Sequence, residues 1–253
     1  VKALLKHHQG DEGLLFNINS QDAFGNTPLI SAVKNGHIEI ANILIRNGAD
    51  INATDKYGQT VLMLAVRERN LKIVETLLSC PELKINVKDE SGFTALARAA
   101  QEGHLEMVKA LLNHRNGEGR FIIDINAQDS SRNTALMRAA LEGHTEVLIG
   151  MLDYQHGDDY ALSEKDVKEA VKLLEQKKPG IAKVMIDHIN ERKKVVSYKQ
   201  KETTKLKEAV EMHVERHKEA QILLASSYNR TNSLTIMMRE LTVAASIMDM
   251  PRP

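Results

Sequence analysis

The sequence predicts an all-α solenoid of helix-turn-helix repeats followed by a C-terminal helical region, and three observations carry that reading. Asp22, Asp55, Asp89 and Asp129 stand 33, 34 and 40 residues apart, the self-similarity of a repeat array with one insertion. Five residues after each Asp, a Thr opens a short segment rich in small or apolar residues, as in "TALARAAQEGHLEMVKALL" from Thr94 and "TALMRAALEGHTEVLIGML" from Thr134. A Gly-His break then leads into a longer segment with Ile, Val and Leu at helical spacing. An array of this kind grows by stacking, so 253 residues need not enclose one core.

The elements follow in chain order. "VKALLKHHQGDEGLLFNIN", Val1 to Asn19, parallels "VKALLNHRNGEGRFIIDIN", Val108 to Asn126, so residues 1–21 read as the second half of a repeat whose first helix is expected upstream. The longer Gly-containing loop in both copies reads as a surface connection. Full units start at residues 22, 55, 89 and 129, and the array runs over 1–152. Each unit opens on a turn, where Gly25, Gly58 and Gly92 permit positive φ and Arg132 replaces the Gly in the fourth. The Gly-His pairs are Gly36-His37, Gly103-His104 and Gly143-His144, with Arg69-Asn70 in the second unit. If Arg69 and Arg132 keep positive φ, each costs about 1 kcal/mol. A catalytic His needs a nucleophile or metal beside it, whereas these recur at helix starts; their expected work is to bond backbone groups and hold adjacent repeats in register.

Residues 153–191 read as a degenerate, capping repeat. In "SEKDVKEAVKLLEQKKPGIAKVMIDHI", Ser163 and Asp166 have capping-box spacing and Pro179-Gly180 ends the first helix. Residues 192–253 read as C-terminal helices, one placing Leu206, Val210, His213, His217, Ala220 and Leu224 on a single face and a Met-rich one starting at Ser233. Two roles stand open for them: covering the open end of the solenoid, or forming an interaction or dimerisation pair.

Lys+Arg and Asp+Glu both total 34, which excludes a global field directed at nucleic acid or an anionic membrane. The region from Ser163 to Lys218 is locally basic, with 15 Lys/Arg to 10 Asp/Glu, yet the interleaved acids favour a solvated face. Aromatic residues are 4% and Trp is absent, which suits small-residue helix packing. A lone Cys80 forms no internal disulfide, and no apolar run is long enough to span a membrane, so an intracellular, cytoplasmic setting is expected. His213 and His217 in "HVERH" are spaced for one helix face, but Glu215 is one place from the zincin pattern and no third ligand is apparent. Phosphate loops, nucleophile elbows and Cys/His clusters are missing, so neither enzyme activity, a cofactor nor a metal is expected.

The array resembles the ankyrin repeat, on "DAFGNTPL", "NGHIEI" and "NGADINA" in the first unit and "EGHLEMV" and "INAQD" later, over residues 22 to 152. Pro28 matches the family's Pro in the first unit alone, and Ile30, Met63, Ala97 and Met137 stand where the family usually has His. The resemblance implies a protein-protein interaction scaffold whose partner sits on a concave face of turn tips and inner helices. Carried over position by position, the partner-binding candidates are Phe24, Asn26, Lys34, Tyr57, Gln59, Arg67, Phe93, Arg98, Asn133 and Arg138. Aromatic and Arg side chains favour binding hot spots, so the expected partner offers apolar groups and carboxylates. On this view, replacing Phe24, Tyr57 and Arg98 with Ala abolishes binding and spares the melting curve. The alternative is the targeting region of a larger enzyme; the degenerate units and Lys/Glu/Met-rich helices also resemble host-directed effectors of intracellular bacteria, which would act in host cytoplasm.

Overall fold

The computed structural model describes residues 17–154 and 162–248, so the expected N-terminal half repeat lies mostly outside the described residues. Four helix pairs follow one another: α1 (Pro28–Lys34) with α2 (Ile38–Arg46), α3 (Val61–Arg67) with α4 (Leu71–Leu78), α5 (Ala95–Gln101) with α6 (Leu105–Asn113), and α7 (Ala135–Glu142) with α8 (Thr145–Asp153). Then come α9 (Glu164–Lys177) and α10 (Pro179–Met248). The first helices of the pairs pack in one file and the second helices in another, as a solenoid requires. The chain divides after Asn190 into two units.

Each inner helix starts where it does because a buried Thr caps it. The hydroxyls of Thr27, Thr60 and Thr94 accept the N–H of Ile30, Met63 and Ala97 at 3.2 Å, and Thr134 accepts that of Met137 at 3.4 Å. Behind the caps, Leu29, Leu62, Leu96 and Leu136 are buried, and small residues such as Ala65, Ala99 and Ala139 let neighbouring helices close up. The outer helices add Ile73, Leu77, Leu111 and Leu148 to the same continuous core. The 40-residue spacing between Asp89 and Asp129 is absorbed after α6, where Arg115 and Phe121 form an isolated antiparallel bridge. There the Arg115 guanidinium lies 3.8 Å over the Phe121 ring, which meets Tyr154 edge-on at 5.8 Å. Burial pushes the Tyr154 hydroxyl up to about 12.

The two Arg substitutions keep the glycine conformation: Arg69 has φ 54° and Arg132 φ 62°. Two of the three break histidines bridge units as expected, while His37 in the first repeat is exposed. His104 Nδ1 lies 3.2 Å from the Val66 carbonyl and His144 Nε2 2.9 Å from that of Gln101, so each satisfies a carbonyl at the C-terminal end of the preceding inner helix. After the fourth unit, Lys178 Nζ donates to the Glu142 carbonyl in the same manner. Burial holds the His104 imidazole below its ordinary value of 6.5, with Glu102 opposing, and burial lowers His114 as well. A His depressed in the folded state stabilises fully above its unfolded value, and that contribution fades as pH falls towards the folded one. The urea midpoint is therefore expected to drop as pH falls from about 7 to 5, and less so in His104→Gln. Equal slopes for the two proteins would remove His104 as a cause.

Two expectations for the C-terminal third are corrected. Ser163 makes no side-chain capping bond, and Asp166 is 5% exposed with its carboxyl raised by burial, so the capping-box spacing closes no box. The Ser163 N–H instead donates to Asn126 Oδ1 at 3.0 Å. The separate helices expected from residues 192 and 233 are parts of the single helix α10. The polar run "NRTN" does not stop it, because no Pro or Gly occurs between residues 181 and 248 and Asn or Ser costs a helix well under 1 kcal/mol each. Within the first unit, Ala170 and Leu174 of α9 and Ala182 and Met185 of α10 are fully buried, which seals the C-terminal end of the array.

Candidate functional site

A finger precedes each inner helix, and one carboxylate organises it. Asp55 Oδ1 accepts the N–H groups of Tyr57 and Gln59 at 3.0 Å, and Asp22, Asp89 and Asp129 do the same two and four residues on. Successive fingers are stitched by Lys56 N–H to the Phe24 carbonyl (2.9 Å), Glu90 N–H to Tyr57 (3.2 Å) and Ser130 N–H to Ser91 (3.1 Å). The turn glycines sit in these joints. A Cβ on Gly25 would lie 2.7 Å from the Lys56 nitrogen, and one on Gly92 2.6 Å from that of Ser130.

This register sorts the ten candidates. Residues two places after the Asp point outward: Phe24 is 56% exposed and Tyr57 53%. Lys56 Nζ lies 4.6 Å from the Phe24 ring centre and 4.9 Å from that of Tyr57, binding the three into one exposed aromatic-cationic cluster. Lys56 is a turn-tip residue by its place in the sequence, and the pairing of adjacent fingers sets it against both rings. Residues four places after the Asp point towards the inner helices. Asn26 accepts from Lys34 Nζ at 2.7 Å, Gln59 accepts from Arg67 at 3.1 Å, and Asn133 is half-buried. Phe93 holds this position too, and it is 7% exposed rather than a projecting tip, flanked by Arg98 at 4.5 Å and Arg138 at 4.6 Å.

The cations divide likewise. Arg98 pairs with Asp89 at 2.7 Å and Arg138 with Asp129 at 2.5 Å, both against carboxylates with almost no exposure. Lys34 pairs with the buried Asp55 of the next finger at 2.9 Å. Burial acts to raise the Asp55 carboxyl, but Lys34 and the two finger N–H groups outweigh it and hold the group below the ordinary range. These three cations hold the fold, so the expected innocence of Arg98→Ala for the melting curve does not survive. Arg67 remains exposed, its partners being Gln59 and Glu68 on the same surface.

A second series escaped the sequence reading. Asn52 Oδ1 accepts the Lys84 N–H and its amide donates to the Glu82 carbonyl, while Asn86 makes the same pair of bonds to Asp124 and Ile122, at 2.7 to 2.9 Å. Asn19 and Asn126 accept from Asp50 and Ser163. The signal was present: an Asn recurs three residues before every anchoring Asp.

Among the described residues no group of three or more His, Cys, Asp or Glu is gathered to hold a metal, and no helix is long and apolar enough to cross a membrane. Burial, aided by Glu82, pushes the Cys80 thiol up, away from nucleophilic character. A family model described as ankyrin repeats matches in three copies, over residues 1–89 and 81–164. No protein of curated function matches the chain.

Proposed function

The chain belongs to the ankyrin-repeat family, and we propose that it is a binding scaffold that holds a partner protein against its fingers and inner helices. Repeats of this family are generally protein-protein interaction modules, not catalysts. The observation that carries the finer reading is the Phe24–Lys56–Tyr57 cluster: two large aromatic side chains stand more than half exposed on loops whose packing does not need them. An aromatic pair with a cation between its rings and Arg67 on the adjacent inner helix suits apolar side chains flanked by carboxylates.

The test is affinity capture followed by quantitative binding, comparing the wild-type chain with a Phe24→Ala, Tyr57→Ala, Arg67→Ala triple variant. Two or more hot spots lost at about 2 kcal/mol each weaken binding by at least about 100-fold. The melting temperature should move little, because none of the three side chains is buried or holds a buried carboxylate. A partner that binds the triple variant at full affinity would place the interface elsewhere.

A further inference from the structure

Within the second unit, Glu191 to Met248 is helix throughout and exposes apolar side chains along its length, among them Leu206 (62%), Val210 (60%), Met238 (65%) and Leu241 (62%). A single helix in water has no means of covering them. Exposed Met212, Ile222 and Ile236 lie off any one stripe, but one stripe of ten positions holds six apolar residues. Positions 206, 210, 213, 217, 220, 224, 227, 231, 234 and 238 advance by alternating steps of four and three, the 3.5-residue period of a supercoiled seam. A partner of the same period is needed to follow such a seam, and a second copy of this helix has that period by construction.

We propose that this segment pairs with a second copy of itself as an antiparallel coiled coil centred on Ile222. The seam reads Leu, Val, His, His, Ala, Leu, Ser, Thr, Leu, Met, and its polarity is the same from either end. Antiparallel alignment about residue 222 therefore sets Leu206 opposite Met238 and Val210 opposite Leu234. It also aligns position 213 with 231 and position 217 with 227, so each His is paired in register with a Thr or a Ser. At the centre, position 220 aligns with position 224. A parallel alignment would instead set His213 and His217 against their own copies one turn apart.

Charge does not oppose the pairing, since five basic residues balance five acidic ones between residues 206 and 248. The one like-charge flank pair, Arg216 with Arg230, falls at the edge of the seam. Area suffices as well. Twelve apolar seam side chains, at roughly 60–120 Å² each, bury about 700–1,400 Å², and flanking Ala209, Val214 and Met237 extend this into the range of stable interfaces.

The test measures the mass of the full chain in solution by sedimentation equilibrium across micromolar concentrations. The wild-type chain and Ile222→Asp, a change on the outer face, should sediment as two chains, and Val210→Asp as one with its helical circular dichroism retained. In a Cys80→Ser background, Val210→Cys and Leu234→Cys chains mixed and oxidised should form the mixed disulfide dimer. A one-chain mass for the wild type overturns the pairing. A two-chain mass for Val210→Asp overturns the seam, and disulfides formed by each variant with itself overturn the antiparallel alignment.

Discussion

Gly92→Ala is expected to lower the unfolding free energy by about 3 kcal/mol, combining left-handed strain with a broken joint. Gly92 has φ 78°, which alone makes an L side chain cost about 1–2 kcal/mol. The added methyl would also lie 2.6 Å from the Ser130 nitrogen, so the fingers must part and the Ser130 to Ser91 bond must lengthen. Arg132 holds the equivalent turn in the fourth finger, and among the described residues no further finger follows to exclude a side chain. Only the conformational strain remains there, and Arg132→Gly should stabilise by about 0.5–1 kcal/mol. Gly36→Ala supplies the control, because its Cβ would meet nothing within 4 Å at φ 67°. Urea unfolding followed by circular dichroism checks the series. A Gly92→Ala loss no larger than that of Gly36→Ala would show that the stacked fingers contribute nothing.

Asp129→Ala should cost a similar amount, about 3 kcal/mol, for a different reason. The Asp129 side chain has no exposure, holds the N–H groups of Ser131 and Asn133 at 2.8 and 3.0 Å, and pairs with Arg138, itself only 16% exposed. Its removal strands a cation beside Phe93 and unties the finger. Arg138→Met should cost less alone, since the carboxylate keeps its two N–H donors while the Met stem still covers Phe93. The double variant should then cost clearly less than the two single losses together. Additive losses would mean that the pair contributes no coupling. Asp22→Ala should have a much smaller effect, as its carboxylate is exposed and meets Lys34 only at longer range.

The fold was legible because its determinants are local and repeated. The Asp period, the Thr that opens each inner helix, and the Gly-His breaks each specify a backbone conformation by their own chemistry, and Arg69 and Arg132, which stand at glycine offsets, keep positive φ. The candidate surface was legible in part. Phe24 and Tyr57 share one offset from the anchoring Asp, whereas Phe93 lies two residues later and turns inwards, a difference visible in the offsets and not used in choosing the candidates. Arg98 and Arg138 sit four residues after the capping Thr, within reach of their own Asp, while Lys34 and Arg67 sit seven after it. The length of α10 was missed because the stretch was divided at Ser233, although no Pro or Gly interrupts it there.

The Asn series gives the array a standardised coupling. At every joint an Asn Oδ1 accepts a backbone N–H of the following segment, and at Asn52 and Asn86 the amide also donates to a carbonyl, so a unit meets its neighbour through fittings that do not depend on what lies between them. The 40-residue third unit demonstrates the point: its additional loop is accommodated while Asn86 still reaches Ile122 and Asp124 at 2.7 and 2.8 Å. Length can therefore change in the loops, and side chains can change on the fingers, without retooling the joints. A lineage built on this plan can revise what it grips while inheriting how it is assembled.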